Sequence, residues 1–187
     1  METQKLAHEV GGWKNISRMR LSLAVAHTDE DGFLTFTEDN VSGLIELLKA
    51  ADLVVGFNHV RFDYEVLSAY TPERLQTLPN LDILLHVQAA LGFRLKLDHL
   101  AEFTLGRKKS GHGLDAARWF REGRMDLIEK YCRDDVAITR DLYRFGLEKG
   151  FLLYRREGGG VSKIPVDWRQ GSRASAGEGR MREFRGR

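Results

Sequence analysis

Leu53-Val-Val-Gly-Phe57 is apolar at every position, as expected of a β-strand covered on both faces. What precedes it constrains the architecture. Met19-Arg-Leu-Ser-Leu-Ala-Val-Ala26 alternates, with Met19, Leu21, Leu23 and Val25 on one face, and reads as a half-buried strand. Asp29-Glu-Asp-Gly32 turns the chain into a second strand, Phe33-Leu-Thr-Phe-Thr37, as in a hairpin. A helix over Glu38 to Ala50 follows, with Val41, Leu44, Ile45 and Leu48 inward. Antiparallel strands, a crossover helix and then a buried strand joining the same sheet predict an α/β fold. Its mixed sheet, an antiparallel meander plus parallel strands, would be flanked by helices.

The later elements fit this scheme. A helix is predicted over Phe62 to Tyr70, a short strand over Leu78 to Ile83, and a helix over Leu84 to Gly92. Another helix, Leu97 to Gly106, ends at a glycine cap. Arg107-Lys-Lys-Ser-Gly-His-Gly113 reads as a mobile basic loop, followed by helices over 114–122 and 125–149. Phe151 to Tyr154 and Val161 to Val166, around Glu157-Gly-Gly-Gly160, form a terminal hairpin.

The chain has 187 residues, enough for one domain with a sizeable core. No apolar run approaches the ~20 residues of a membrane span, and the N-terminus lacks the apolar region of a secretory signal. The single cysteine, Cys132, excludes an internal disulfide and a cysteine-based zinc site, and fits a cytoplasmic setting. The net charge of +2 is unevenly spread. Residues 169–187 hold Arg169, Arg173, Arg180, Arg182, Arg185 and Arg187 against Glu178 and Glu183, leaving the remainder net acidic. This Gly/Ser/Arg-rich stretch is predicted as a disordered basic tail after a domain of residues 1–168. It would either grip a phosphate backbone or serve as a solubilising extension.

The helix over Met125 to Lys149 carries an anomaly. Ile128, Tyr131, Ile138, Leu142 and Phe145 recur at steps of three and four, and Asp135 fills the slot between Tyr131 and Ile138. On a core-facing stripe a carboxylate calls for a cation, with a metal ion the leading candidate; at the margin of the stripe it would instead reach water. Tyr131, four residues earlier, shares its face. Elsewhere, Asn58 leaves the apolar strand and Asp63 follows in the first turns of the next helix. Strand ends of this kind are where crevices form in α/β sheets. Glu2-Thr3 lies near a strand end of its own.

Asn-His-Val-Arg-Phe-Asp at 58–63 and Tyr-Cys-Arg-Asp-Asp-Val at 131–136 resemble the second and third motifs of the ribonuclease H-like, DnaQ-like exonucleases of the DEDD superfamily. The Tyr131–Asp135 spacing resembles the tyrosine subclass, and the YprB-like branch in particular. Glu2-Thr3-Gln4-Lys5-Leu6 with Val10-Gly-Gly-Trp13 is similar to the first motif and its loop. The resemblance implies a ribonuclease H-like fold and two Mg²⁺ or Mn²⁺ ions, with Glu2, Asp63 and Asp135 matching three of the four metal-binding carboxylates. Tyr131 would orient the attacking water, and the reaction would be 3′-5′ exonucleolytic hydrolysis of DNA or RNA. Hard divalent cations favour such oxygen ligands, and a metal pair can activate water and stabilise a leaving oxygen.

The family's first motif is Asp-any-Glu. Met1 stands in its middle position, so the leading aspartate would lie one residue before the chain begins, and the first, central strand would be truncated. Two explanations are open: Met1 is an internal methionine of a longer protein, or the chain is a remnant that binds without cutting. Either way the 187-residue chain is expected to show little or no activity. The implied partner is nucleic acid with a single-stranded 3′ end; no motif specifies a helicase or other processing partner. The alternative function is a non-catalytic nucleic-acid-binding or scaffold module. Trp13 would stack a terminal base or cover a sheet edge, Asn58 would contact substrate or shape a turn, and Lys108 and Lys109 would touch phosphates or water. Asp82 is expected to cap a helix.

Overall fold

The computed structural model describes residues 1–107 and 115–168. Lys108, Lys109 and the predicted tail of residues 169–187 lie outside them. The fold is α/β. After β1 (Glu2–Thr3), two 3₁₀ segments over Ala7–Val10 and Trp13–Met19 lead into β2 (Leu21–Thr28) and β3 (Gly32–Thr37). Both pairings are antiparallel, with Glu2 opposite Leu23 and Ala24 opposite Phe36. The predicted helix from Glu38 begins as a 3₁₀ turn over Glu38–Asn40 and becomes α1 at Val41–Ala50. Thr37 and Asn40 close a reciprocal capping box there, which sets the entry angle.

Next come β4 (Val54–Gly56), α2 (Asp63–Leu67), β5 (Asn80–Asp82) and α3 (Ile83–Leu91). β4 and β5 pair in parallel, Val55 opposite Leu81. α4 (Leu97–Leu100) runs into a π-helical turn over Ala101–Leu105 and stops at Gly106, whose φ is 67°. α5 (Ala116–Arg121), α6 (Met125–Lys149), β6 (Phe151–Arg155) and β7 (Val161–Pro165) complete the domain.

Two expectations need correction. The predicted strand Leu53–Phe57 is only three residues long, and all of them are half-buried rather than covered on both sides. Nor does it join the sheet of the N-terminal meander. Among the described residues the strands form three separate sheets, β1-β2-β3, β4-β5 and β6-β7. β1 pairs only with Leu21 and Leu23 of β2, and β4 pairs only with β5 among the described residues. Burial of a strand's two faces depends on what packs above and below it, which apolar composition alone does not supply.

α6 bridges the separate sheets, packing on β2, β4 and β6. Its inner face puts Ile128 and Cys132 against Leu23 and Val25, and Ile138 and Leu142 against Leu81, Leu152 and Ile164. A third apolar cluster, Leu44, Ile45, Val66 and Leu67 among its members, lies under α1 and α2. Glu38 ties the start of the chain to this frame. Its carboxylate accepts hydrogen bonds from Gln4 Nε2 at 2.7 Å, Arg20 Nε at 2.6 Å and the Tyr70 hydroxyl at 2.6 Å. Burial works to raise the Glu38 pKa, but these three donors outweigh it and hold the carboxyl below its ordinary range.

Candidate functional site

β1 places Glu2, the first residue of α2 is Asp63, and the middle of α6 supplies Asp135. Of these three carboxylates, Asp63 forms an ion pair with Met1. The α-ammonium of Met1 lies 3.5 Å from Asp63 Oδ1 and is almost wholly shielded from water. Burial by itself lowers the pKa of such an amine. Here Asp63 foremost, then Cys132, Glu2 and Asp135, overcome that effect and bring it from 8.0 up to about 11. Asp63, Glu2 and Asp135 thus all act on the Met1 amine in the same direction.

Asp135 sits between Tyr131 and Ile138 on the buried side of α6, and its Oδ1 atom is shielded from solvent. Tyr131 is buried on the same helix, its ring meeting the edge of Trp119 at 6.2 Å. Cys132 is buried beside Leu23, and burial raises its thiol to about 12, so it is no nucleophile at neutral pH.

The segment between β4 and Asp63 is held from one side by Asp82. Its Oδ1 accepts the backbone N–H of Asn58 at 2.8 Å, and its Oδ2 that of Val60 at 3.1 Å. Oδ1 also caps α3 through the N–H groups of Leu84 at 3.0 Å and Leu85 at 3.3 Å. The predicted helix cap is thus also the clamp of the Asp63 loop. His59 folds inward at 7 % exposure. Its Nε2 is 3.2 Å from Asn80 Oδ1, and the Tyr64 hydroxyl donates to the same oxygen. Gly56 makes room for it, since a Cβ there would fall 2.6 Å from His59 Nδ1.

Asn58 takes a left-handed conformation, φ 65°, which asparagine tolerates better than most residues. Its side chain accepts a hydrogen bond from Arg94 Nη2 at 2.9 Å. Trp13 follows Gly11 and Gly12, and its ring edge meets Phe62, next to Asp63, at a centroid distance of 6.4 Å. It remains 69 % exposed and does not cover a sheet edge. Arg94 was not marked by its sequence context, a lone arginine between Phe93 and Leu95.

Carboxylate oxygens are the right donor type for Mg²⁺ or Mn²⁺. Among the described residues no group of three or more His, Cys, Asp or Glu side chains is drawn together as a metal cluster. A testable consequence follows from the raised pKa of the Met1 amine. An amine whose pKa rises on folding stabilises the fold fully below the unfolded value near 8, and that contribution disappears as pH climbs through about 11. Protein with a free Met1 amine is therefore expected to melt above its N-acetylated counterpart at pH 7, with the gap closing towards pH 11. A gap independent of pH would show that the charge plays no part.

No family model, curated protein or solved structure matches the chain.

Proposed function

We propose that this chain is a ribonuclease H-like domain of the 3′-5′ exonuclease type, with Glu2, Asp63 and Asp135 as its metal-binding carboxylates and Tyr131 as the water-orienting phenol. The observation that supports the reading is the placement of Asp63 on the first turn of α2, 3.5 Å from the backbone nitrogen of Met1, the residue before Glu2, with Asp135 on the buried side of α6. Clustered carboxylates repel each other and require a cation. A divalent ion would supply Lewis-acid activation of water and stabilisation of the leaving oxygen.

Glu2, Asp63 and Asp135 would hold that ion. A second reading is a non-catalytic nucleic-acid-binding or scaffold module of the same fold.

Thermal melting with Mn²⁺ separates the two. The exonuclease reading expects saturating Mn²⁺ to raise the melting temperature by about 3–5 °C. The rise should vanish in Asp63→Asn and Asp135→Asn, and a 5′-labelled strand should be shortened slowly, if at all. Melting that ignores Mn²⁺ in the unmodified chain would leave the scaffold reading standing.

A further inference from the structure

The loop between β4 and α2 carries a buried histidine whose neighbours decide where its protons sit. Asn80 sets the first of them. Its amide nitrogen donates to the carbonyls of Leu75, Gln76 and Leu78, so Oδ1 is the end turned to the ring. That oxygen accepts from the Tyr64 hydroxyl and lies 3.2 Å from His59 Nε2. Burial, then the charges of Asp63 and Asp82, raise the Tyr64 pKa, so the phenol keeps its proton and stays a donor. His59 Nε2 therefore faces an acceptor with no hydrogen to give, and must itself be the N–H.

The other ring nitrogen has a different neighbour. His59 Nδ1 is shielded from solvent without a hydrogen-bond partner, and Asp82 Oδ2 stands 3.5 Å away. Both Asp82 oxygens already act as acceptors, for the N–H groups of Asn58 and Val60 in the loop and of Leu84 and Leu85 in α3. A neutral ring protonated at Nε2 would turn its Nδ1 lone pair towards that carboxylate, in a buried site where repulsion is poorly screened. A second proton, on Nδ1, makes the same contact an ion pair. The ring has little room to withdraw. A Cβ on Gly56 would lie 2.6 Å from Nδ1, and Tyr64 meets the ring edge to face at 5.1 Å.

This loop delivers Asp63. The His59 carbonyl accepts the Tyr64 N–H at 2.9 Å, and the Asn58 carbonyl accepts that of Phe62 at 3.0 Å. Helix α2, with Asp63 as its first residue, thus starts from backbone pinned by His59 and Asp82. We propose that His59 is a positioning residue with a proton switch. Doubly protonated, it bridges Asn80 and Asp82 and holds the Asp63 loop tight; on losing the Nδ1 proton it loosens that loop. The titratable groups against the ring are Asp82, from the β5–α3 junction, and the Tyr64 phenol, from α2, while β4 presents backbone at Gly56. The pair sets the direction: acid tightens the loop and alkali frees it. The proposal goes beyond the exonuclease reading and needs neither metal nor substrate.

The experiment uses the full chain, ¹⁵N-labelled, in EDTA from about pH 5 to about pH 9, which spans the range where histidines change charge. The Met1 amine, whose pKa is about 11, keeps its proton there. Long-range nitrogen–proton spectra separate the ring states, because the two nitrogens of an imidazolium resonate close together and those of a neutral ring far apart. The expected result is a His59 imidazolium in acid that gives way to the neutral ring protonated at Nε2. Hydrogen exchange, corrected for its intrinsic pH dependence, should show the Val60 amide losing about tenfold in protection across the same step. His59→Gln keeps an amide donor for Asn80 without a charge, and should remove the step. A ring that holds one charge state throughout, or whose neutral form is protonated at Nδ1, would overturn the switch on the unmodified chain, whether or not the variant folds. So would a ring titration that leaves Val60 protection unchanged, or a protection step that survives in His59→Gln. With no divalent ion present, none of these outcomes bears on the Mn²⁺ melting test, so the switch and the exonuclease reading fail separately.

Discussion

Asp82→Ala is expected to destabilise the fold by about 3 kcal/mol or more, from a single side chain that makes no claim to chemistry. Its carboxylate is nearly fully buried and accepts four backbone N–H groups, those of Asn58, Val60, Leu84 and Leu85. Loss of an N-cap alone costs about 1 kcal/mol. The Asn58 and Val60 amides add the larger part, because each buried donor left without an acceptor costs about 1–3 kcal/mol. His59 Nδ1, 3.5 Å from Asp82 Oδ2, would lose its acidic neighbour as well. Urea denaturation measures the effect, and a loss under about 1 kcal/mol would show that the loop is held by other means. Asp82→Asn keeps one acceptor oxygen but presents an amide NH₂ to the other donors, so it should fall between wild type and alanine.

The legible parts of this chain are those with a period. Helix α6 spans Met125–Lys149 as the apolar spacing predicts, because a stripe over seven turns and a glycine stop leave few alternatives. The strand β2 and the hairpin to β3 follow from alternation in the same way. Single contacts leave no such trace. Asp82 reaches Asn58 across 24 residues and His59 reaches Asn80 across 21, with nothing repeated in between. Leu53–Phe57 is apolar throughout, yet Val54–Gly56 are half-buried, because coverage depends on neighbours that composition does not name. Asp135 stands out because it interrupts an apolar stripe, whereas Glu2 and Asp63 break no period and only the motif resemblance marks them as ligands.

The α6 stripe also continues where its letters hide it, at Gly146. This glycine is buried on α6, and a Cβ there would lie 2.2 Å from Cζ3 of Trp168 and 2.6 Å from Cε3. Trp168, after β7, is 1 % exposed and clusters with Leu142, Leu152 and Ile164. Tyr143 stacks on its ring at 5.7 Å, and His86 meets it edge-on at 6.1 Å. Alanine is the better helix former by about 1 kcal/mol, so propensity alone predicts that Gly146→Ala stabilises. Packing should reverse that sign. An indole enclosed on this many sides has little room to retreat, and overpacking costs about 1–3 kcal/mol, occasionally more. Trp168→Ala removes the obstacle together with a large buried ring, at about 3–5 kcal/mol. In the double variant the clash is gone while the propensity gain remains, so its destabilisation should be smaller than the sum of the single values. Chemical denaturation of the four proteins gives the coupling directly. Additive effects would mean that Trp168 does not lie against Gly146 in solution, and that the C-terminal half of α6, the helix carrying Tyr131 and Asp135, is held to the β6-β7 hairpin by other contacts.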